Sequence, residues 1–257
     1  IIAISGINGK MGNEIYKAAK LRKHSVICGV DVKPVGEFDC PVYKNFEEIR
    51  ALCDVIIDFS SPANLSSLLL FATQNGIPIV IGTTGYSDEQ ENQILSASEI
   101  IPVFKSDNFS LGIFALQKAI EVIVKYVSDY DIEITETHHN KKIDSPSGTA
   151  KQIIKTIRNS LNKEINLKYG RFGKEQRQPN EIGVHSLRGG GVTGIHEISF
   201  FGEKEYLSIK HVALDKSVFA EGAIKAAEFI ISQPRGLYNF DNLFNYVKTG
   251  EFPWKQH

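Results

Sequence analysis

The sequence predicts an α/β fold: a doubly wound parallel sheet, then a second α+β domain built on a mostly antiparallel sheet. Two features of the 257 residues carry this. Through the first hundred residues, short apolar runs of strand length alternate with amphipathic helical stretches, the pattern of parallel sheets with helices on both faces. Beyond residue 180, three strand-like runs follow one another with no helix between them, the pattern of an antiparallel sheet.

Residues 1–5 form the first strand. Gly6-Ile7-Asn8-Gly9-Lys10-Met11-Gly12 then turns into a helix with apolar positions at Ile15, Ala18 and Ala19. Residues 25–31 are a second buried-type strand, and its closing acid, Asp31, stands nineteen residues after Gly12. Together they make a dinucleotide-binding βαβ unit of Rossmann type: glycines let the backbone approach a pyrophosphate and Asp31 accepts from ribose hydroxyls. The spacing is G-x-x-G-x-x-G rather than G-x-G-x-x-G, so the context carries the reading more than the triplet.

The alternation continues with a strand at 54–59, Ser61-Pro62 opening a helix over 65–73, and Gly76 as its stop. A strand at 77–81 leads into Gly82-Thr83-Thr84-Gly85, and Ser87-x-x-Gln90 reads as a capping box for a helix to about residue 98. The next strand, 101–104, ends in Lys105-Ser106-Asp107-Asn108-Phe109-Ser110. Ligands of such sheets bind outside the carboxyl ends of the strands. Helix capping accounts well for Ser61 and Ser87 but less well for the 82–85 turn, which with Asn108 reads as a nicotinamide-side contact.

In the second half, residues 111–127 carry a helical apolar face and link the domains. Strands are expected at 131–136, 182–187, 194–201 and 205–214, with a polar loop over 171–183. Arg188-Gly189-Gly190-Gly191 sits between strands, either placing Arg188 over a ligand or serving as a plain hairpin. An apolar helix at 219–231 and a short segment at 238–247 could each cover the first domain again, making it discontinuous, with expected boundaries of 1–108 with 215–257 for dinucleotide binding and 109–214 for substrate binding.

Binding chemistry concentrates in Thr137-His138-His139-Asn140-Lys141-Lys142-Ile143-Asp144-Ser145-Pro146-Ser147-Gly148-Thr149-Ala150. Two imidazoles and two ammonium groups within five residues repel one another, and an anion that needs several donors would relieve this. Ser147 is an N-cap for a helix with its apolar face at Ala150, Ile153, Ile154, Ile157 and Leu161. Gly148 and Thr149 then lie in the first turn, where backbone N–H groups attract a carboxylate or phosphate. The plainer alternative is a capped helix after a basic loop.

A net charge of −1 excludes a general polyanion binder, so no nucleic-acid partner is expected. The three cysteines form no C-x-x-C pair and fit buried or incidental thiols in a reducing cytoplasm. Adjacent His138 and His139 would point to opposite faces of a strand, so no metal site is expected. No apolar run approaches a membrane span and no signal-like core follows the N-terminus, which favours a cytoplasmic protein without membrane attachment. Because the first residue is Ile, the initiator is expected to precede it.

With the glycine turn, Gly82-Thr83-Thr84-Gly85, Asp107-Asn108-Phe109-Ser110 and Glu136-Thr137-His138-His139-x-x-Lys142-x-Asp144-x-Pro146-Ser147-Gly148-Thr149-Ala150, the chain resembles, end to end, the dihydrodipicolinate reductase family. The resemblance implies reduction of 4-hydroxy-tetrahydrodipicolinate, a cyclic dicarboxylate, by NADH and/or NADPH with loss of water. It implies acid–base roles for His138 and Lys142, and substrate contacts from His139, Gly148 and Thr149. It also implies cofactor contacts from Gly6, Ile7, Asn8, Gly9, Lys10, Met11, Asp31, Gly82, Thr83, Thr84, Ser106, Asp107, Asn108 and Phe109, and a homotetramer joined through the substrate-domain sheets. These roles agree with the residue chemistry, since hydride arrival leaves charge on the ring that an ammonium such as Lys142 can quench.

Asp31 is followed by Val32 and Lys33 rather than an arginine, so use of both cofactors with NADH preferred is expected. The rival readings are a different two-domain dehydrogenase, or a nucleotide sensor that has lost its chemistry. A semialdehyde dehydrogenase would need a nucleophilic cysteine, and none of the three has a supporting motif. Intact His138 and Lys142 speak against the sensor.

Overall fold

The structure, a computed structural model, describes residues 1–33, 36–161 and 163–248. It divides into two compact units, Ile1–Ser110 with the chain from Ser217 onward, and Leu111–Lys216.

The first unit alternates strand and helix. In chain order it holds β1 (Ile2–Ser5), α1 (Lys10–Leu21), β2 (Val26–Val30), β3 (Val42–Tyr43), β4 (Val55–Asp58), α2 (Leu65–Asn75), β5 (Ile79–Ile81), α3 (Asp88–Ser98) and β6 (Pro102–Lys105). Local chemistry sets the ends. Gly76 stops α2 in the left-handed conformation at φ 65°, and Ser87 and Gln90 form the reciprocal capping box of α3. Ser61 and Pro62 open a short 3-10 turn that runs straight into α2.

The second unit contains α4 (Leu111–Tyr126), β7 (Asp131–His138), α5 (Gly148–Leu161), β8 (Asn166–Tyr169), β9 (Glu181–Arg188), β10 (Gly194–Phe201) and β11 (Tyr206–Ala213). The chain then rejoins the first unit with α6 (Ser217–Ile230), β12 (Gly236–Tyr238) and α7 (Phe240–Lys248).

The first sheet is parallel throughout, in the order β12-β6-β5-β4-β1-β2-β3. Winding reverses between β4 and β1, which is where a doubly wound sheet leaves a crevice. Three edge strands lay outside the sequence expectation: β3, β8 and β12 are two to four residues long and are held by pairing rather than by a pattern of their own. On rejoining the first unit α6 packs on α1, where Glu228 accepts from Arg22 at 2.9 Å and lies 2.8 Å from His24 Nε2.

The second sheet runs β11-β10-β7-β9-β8 and is mixed. The β11-β10-β7 half is antiparallel, whereas β7, β9 and β8 run parallel because α5 carries the chain back to the same end between β7 and β8. Helices α4 and α5 cover one face, burying Ile113, Leu116, Ile120, Ile153 and Ile157 against Ile132, Ile134, Ile198 and Phe200. Each such side chain contributes roughly 1.5–3 kcal/mol. The opposite face carries a cross-strand row, Leu187, Thr137, Ile195 and Val212, with Phe201 stacked on Tyr206 at 5.6 Å.

Candidate active site

The basic stretch begins inside β7, which runs through Thr137 and His138 rather than ending at Glu136. Ile132, Ile134, Glu136 and His138 alternate onto the same buried face. The first two pack in the core, and the last two carry that face beyond the apolar region.

Glu136 is fully buried and joins three elements. Its Oε1 accepts from Arg188 Nη2 of β9 at 2.8 Å and from the Ser147 N–H, at the start of α5, at 3.1 Å. Its Oε2 accepts from Arg188 Nη1 at 2.9 Å and lies 2.5 Å from His138 Nδ1. Burial alone would raise the carboxyl, but the Arg188 fork, with Ser186 and His138, outweighs it and holds Glu136 down at about 2. An ionised carboxylate only accepts, so His138 Nδ1 carries the proton. Burial lowers His138 below its ordinary range although Glu136 pulls the other way, so the ring is neutral near pH 7 and Nε2 presents a lone pair.

A second histidine stands beside this ring. His196, on β10, stands edge-on to His138 with centroids 5.1 Å apart, and burial followed by the His138 charge lowers it to about 4. Ser147 Oγ accepts from the Ala150 N–H, capping α5, and lies 3.1 Å from His196 Nε2.

Arg188 is turned toward Glu136. Besides Glu136, its guanidinium reaches the Asp144 carbonyl at 2.7 Å and so fastens the loop between His139 and Ser147. Asp144 in turn pairs with Lys142, Nζ to Oδ1 at 2.7 Å. Of the groups that would repel one another in sequence, His138 is thus neutral near pH 7 and Lys142 is paired with Asp144. His139 Nδ1 is buried with no partner among the described residues, and a Cβ added to Gly148 would have none of them within 4 Å. Thr149 lies beside it in the first turn of α5, half-buried.

In the first unit, Gly6, Ile7, Asn8, Gly9, Lys10, Met11, Asp31, Gly82, Thr83, Thr84, Ser106, Asp107, Asn108 and Phe109 all lie at or just beyond the carboxyl ends of β1, β2, β5 and β6. Gly6 has φ +78°, and a Cβ there would stand 2.5 Å from the Phe59 carbonyl oxygen. A Cβ on Gly12 would overlap the Gly6 carbonyl. The pair therefore leaves a bare backbone turn at the α1 N-terminus, which fits a pyrophosphate. Asp31 accepts from the Asn8 and Lys33 N–H groups at 3.2 and 3.1 Å and keeps its half-buried carboxylate beside that turn, which fits a ribose.

Several of these residues have only backbone to offer. Ile7 is 0% and Phe109 2% exposed, the latter packed among Phe59, Phe104 and Phe240. The Thr83 hydroxyl is taken by Asp58 and the Ser60 N–H. Sequence reasoning assigned no role to Glu136, His196 or Asp58. The available signal was a polar residue on the inward side of a strand.

Comparison with known proteins agrees on one group. A family model described as the N-terminus of dihydrodipicolinate reductase matches residues 1–109, and one described as its C-terminus matches residues 112–244. The 4-hydroxy-tetrahydrodipicolinate reductase of Clostridium tetani is 42% identical over 246 residues, covering 95% of this chain and 96% of the relative. That of Caldanaerobacter subterraneus is 43% identical over 251 residues, covering 97% and 98%. Among solved structures, dipicolinate-bound dihydrodipicolinate reductase from Paenisporosarcina sp. TG-14 superposes with a TM-score of 0.79 at 25% identity, covering 94% of this chain and 98% of that one.

Proposed function

The chain belongs to the dihydrodipicolinate reductase family, and from that premise we propose that His138 and Lys142 carry the proton chemistry of its reaction. The reaction is reduction of 4-hydroxy-tetrahydrodipicolinate to tetrahydrodipicolinate with loss of water, a step of lysine and diaminopimelate biosynthesis. NADH or NADPH, when bound, supplies the hydride.

The observation that carries the proposal is the Glu136 hub. It fixes His138 with Nδ1–H inward and Nε2 as acceptor, and through Arg188 and Asp144 it steadies the loop that bears Lys142. His138 is therefore the proton acceptor in our scheme. Lys142 is the donor that delivers a proton as charge develops on the ring. His139, with its unpartnered Nδ1, and the α5 N-terminus at Gly148 and Thr149 take the substrate carboxylates.

On the cofactor side we assign the pyrophosphate to the turn from Gly6 to Met11, the ribose to Asp31, and the nicotinamide end to Gly82, Thr83, Thr84, Ser106, Asp107, Asn108 and Phe109. In this division of labour, residues 1–108 with 215–257 bind the nucleotide and 109–214 bind substrate and build the oligomer. The test is oxidation of NADH and NADPH by purified protein, with substrate generated in place from pyruvate and aspartate semialdehyde. Both cofactors support turnover and NADH is preferred, because Asp31 repels a 2′-phosphate and exposed Lys33 offsets this in part. Saturable nucleotide binding without oxidation would overturn the assignment, and a large NADPH preference would remove Asp31 from the ribose.

We place the protein in the cytoplasm, a reading supported by the free thiols of Cys28, Cys40 and Cys53. Among the described residues no helix is long and apolar enough to cross a membrane. We further propose a homotetramer, each subunit covering the Leu187, Ile195 and Val212 face of the second sheet with another copy. Leu187 and Val212 are exposed and Ile195 is half-buried, and an apolar row of this kind is what self-association removes from water. Sedimentation equilibrium should return four times the chain mass, and Val212→Asp should lower it; a monomeric wild type would dismiss the idea.

A further inference from the structure

The carboxyl edge of the parallel sheet holds a second buried carboxylate, which the scheme above leaves unused. Asp58 closes β4 beside β1, where the winding reverses, and is 1% exposed. Ser60 Oγ donates to its Oδ1 and Thr83 Oγ1 to its Oδ2, each at 2.6 Å. The Thr83 hydroxyl accepts in turn from the Ser60 N–H at 2.8 Å, which closes a triangle linking the ends of β4 and β5. The Ser5 and Tyr86 hydroxyls also interact with this carboxylate, from just outside hydrogen-bond geometry.

The neighbour of Asp58 extends that triangle. The Phe59 carbonyl backs Gly6, its ring lies under Gly82 so closely that a Cβ there would overlap it, and the same ring packs on Phe109 at 5.2 Å between centroids. Residues 58–60 therefore touch each of the three segments assigned to the cofactor: the glycine turn, the 82–85 turn and the segment at 106–109.

We propose that Asp58 is a positioning residue for the nicotinamide nucleotide, its carboxylate fixing through Ser60 and Thr83 the distance between the glycine turn and the 82–85 turn. The proposal rests on the family reading given above. It explains why an ionisable group sits in such a place. Burial raises the Asp58 carboxyl above its ordinary value, and its partners are hydroxyls rather than cations. A raised carboxyl is a cost to stability, absent at low pH where the group is protonated in both states and fully present above the folded-state pKa. A group kept at such a cost is kept for a task other than stability.

The experiment compares wild type with Asp58→Asn and Asp58→Ala by fluorescence titration with NADH, steady-state kinetics and thermal melting. Asparagine keeps the shape and one acceptor, and the hydroxyls can rotate to meet its amide. In Asp58→Asn the NADH dissociation constant and KM rise about tenfold, the loss expected for charge-assisted hydrogen bonds, and further in Asp58→Ala. The kcat at saturating NADH moves less, KM for the dicarboxylate stays in place, and Tm is not below wild type. NADH affinity within about twofold of wild type would overturn the proposal, as would loss of binding that tracks a fall in Tm in both variants. A wild type that oxidises no NADH would instead remove the family reading beneath it.

Discussion

Replacing Lys142 with alanine lowers kcat for substrate-dependent NADH oxidation by about 10²- to 10⁴-fold, the span that a positioned general acid supplies. NADH affinity stays at the wild-type value, because the segments assigned to the nucleotide belong to the other unit. Stability changes little, since the residue's partner Asp144 is itself more than half exposed and such pairs contribute little. Lys142→Arg separates two roles. Arginine keeps the positive charge beside Asp144 but does not release a proton at neutral pH, so substrate KM stays close to wild type while kcat stays as low as in the alanine variant. Single-turnover rates in both variants make the measurement. Recovery of kcat with arginine would reassign Lys142 from proton donor to electrostatic clamp.

Glu136→Gln should damage both stability and the pH profile. Removing the charge leaves the Arg188 fork without its counterion, a loss on the order of 2–3 kcal/mol, below that of a fully buried pair because Arg188 keeps one side toward water. For a protein of this size the melting temperature falls by roughly 5–10 °C. The sign with pH follows from the folded-state value of about 2 against the ordinary 4.5. Ionised Glu136 contributes stability fully present above pH 4.5 and lost as pH falls toward 2, so the difference between wild type and variant shrinks on acidification. In catalysis, Glu136 raises His138 against the effect of burial. Without it His138 protonates at still lower pH, and the acid limb of kcat/KM moves downward. A limb that stays put would show that a group other than His138 sets it.

Much of this was legible along the chain, for physical reasons. Strands buried on both faces read as continuous apolar runs, so β1, β2, β4, β5 and β6 stand out. The helices between them carry their own start and stop signals at Ser87 and Gly76, as α5 does at Ser147. Edge strands β3 and β12 have no such pattern, because partners on one side alone hold them. The last two residues of β7 look like loop, yet Thr137 and His138 are paired to Leu187 and Arg188. The basic stretch was visible because its donors are adjacent, whereas the carboxylate that organises it was not. Glu136 matters through Arg188, fifty-two residues away, and through His196 by way of Ser147. Side chains whose partners are distant in sequence have no local signature. Asp58, held by Thr83 twenty-five residues on, is hidden in the same way.

The return of the chain at Ser217 has a consequence for birth on the ribosome. The mixed-sheet unit is one uninterrupted segment, so all of its strands have emerged once Lys216 is clear of the exit tunnel. The parallel sheet is different. Its edge strand β12 and the helix α6 that packs on α1 are synthesised after the whole of the mixed-sheet unit, and Glu228 can meet Arg22 only once the chain has grown 206 residues past it. The nascent N-terminal strands thus wait, with an open flank, until the mixed-sheet unit has been made, and the unit that is translated first is the last to close.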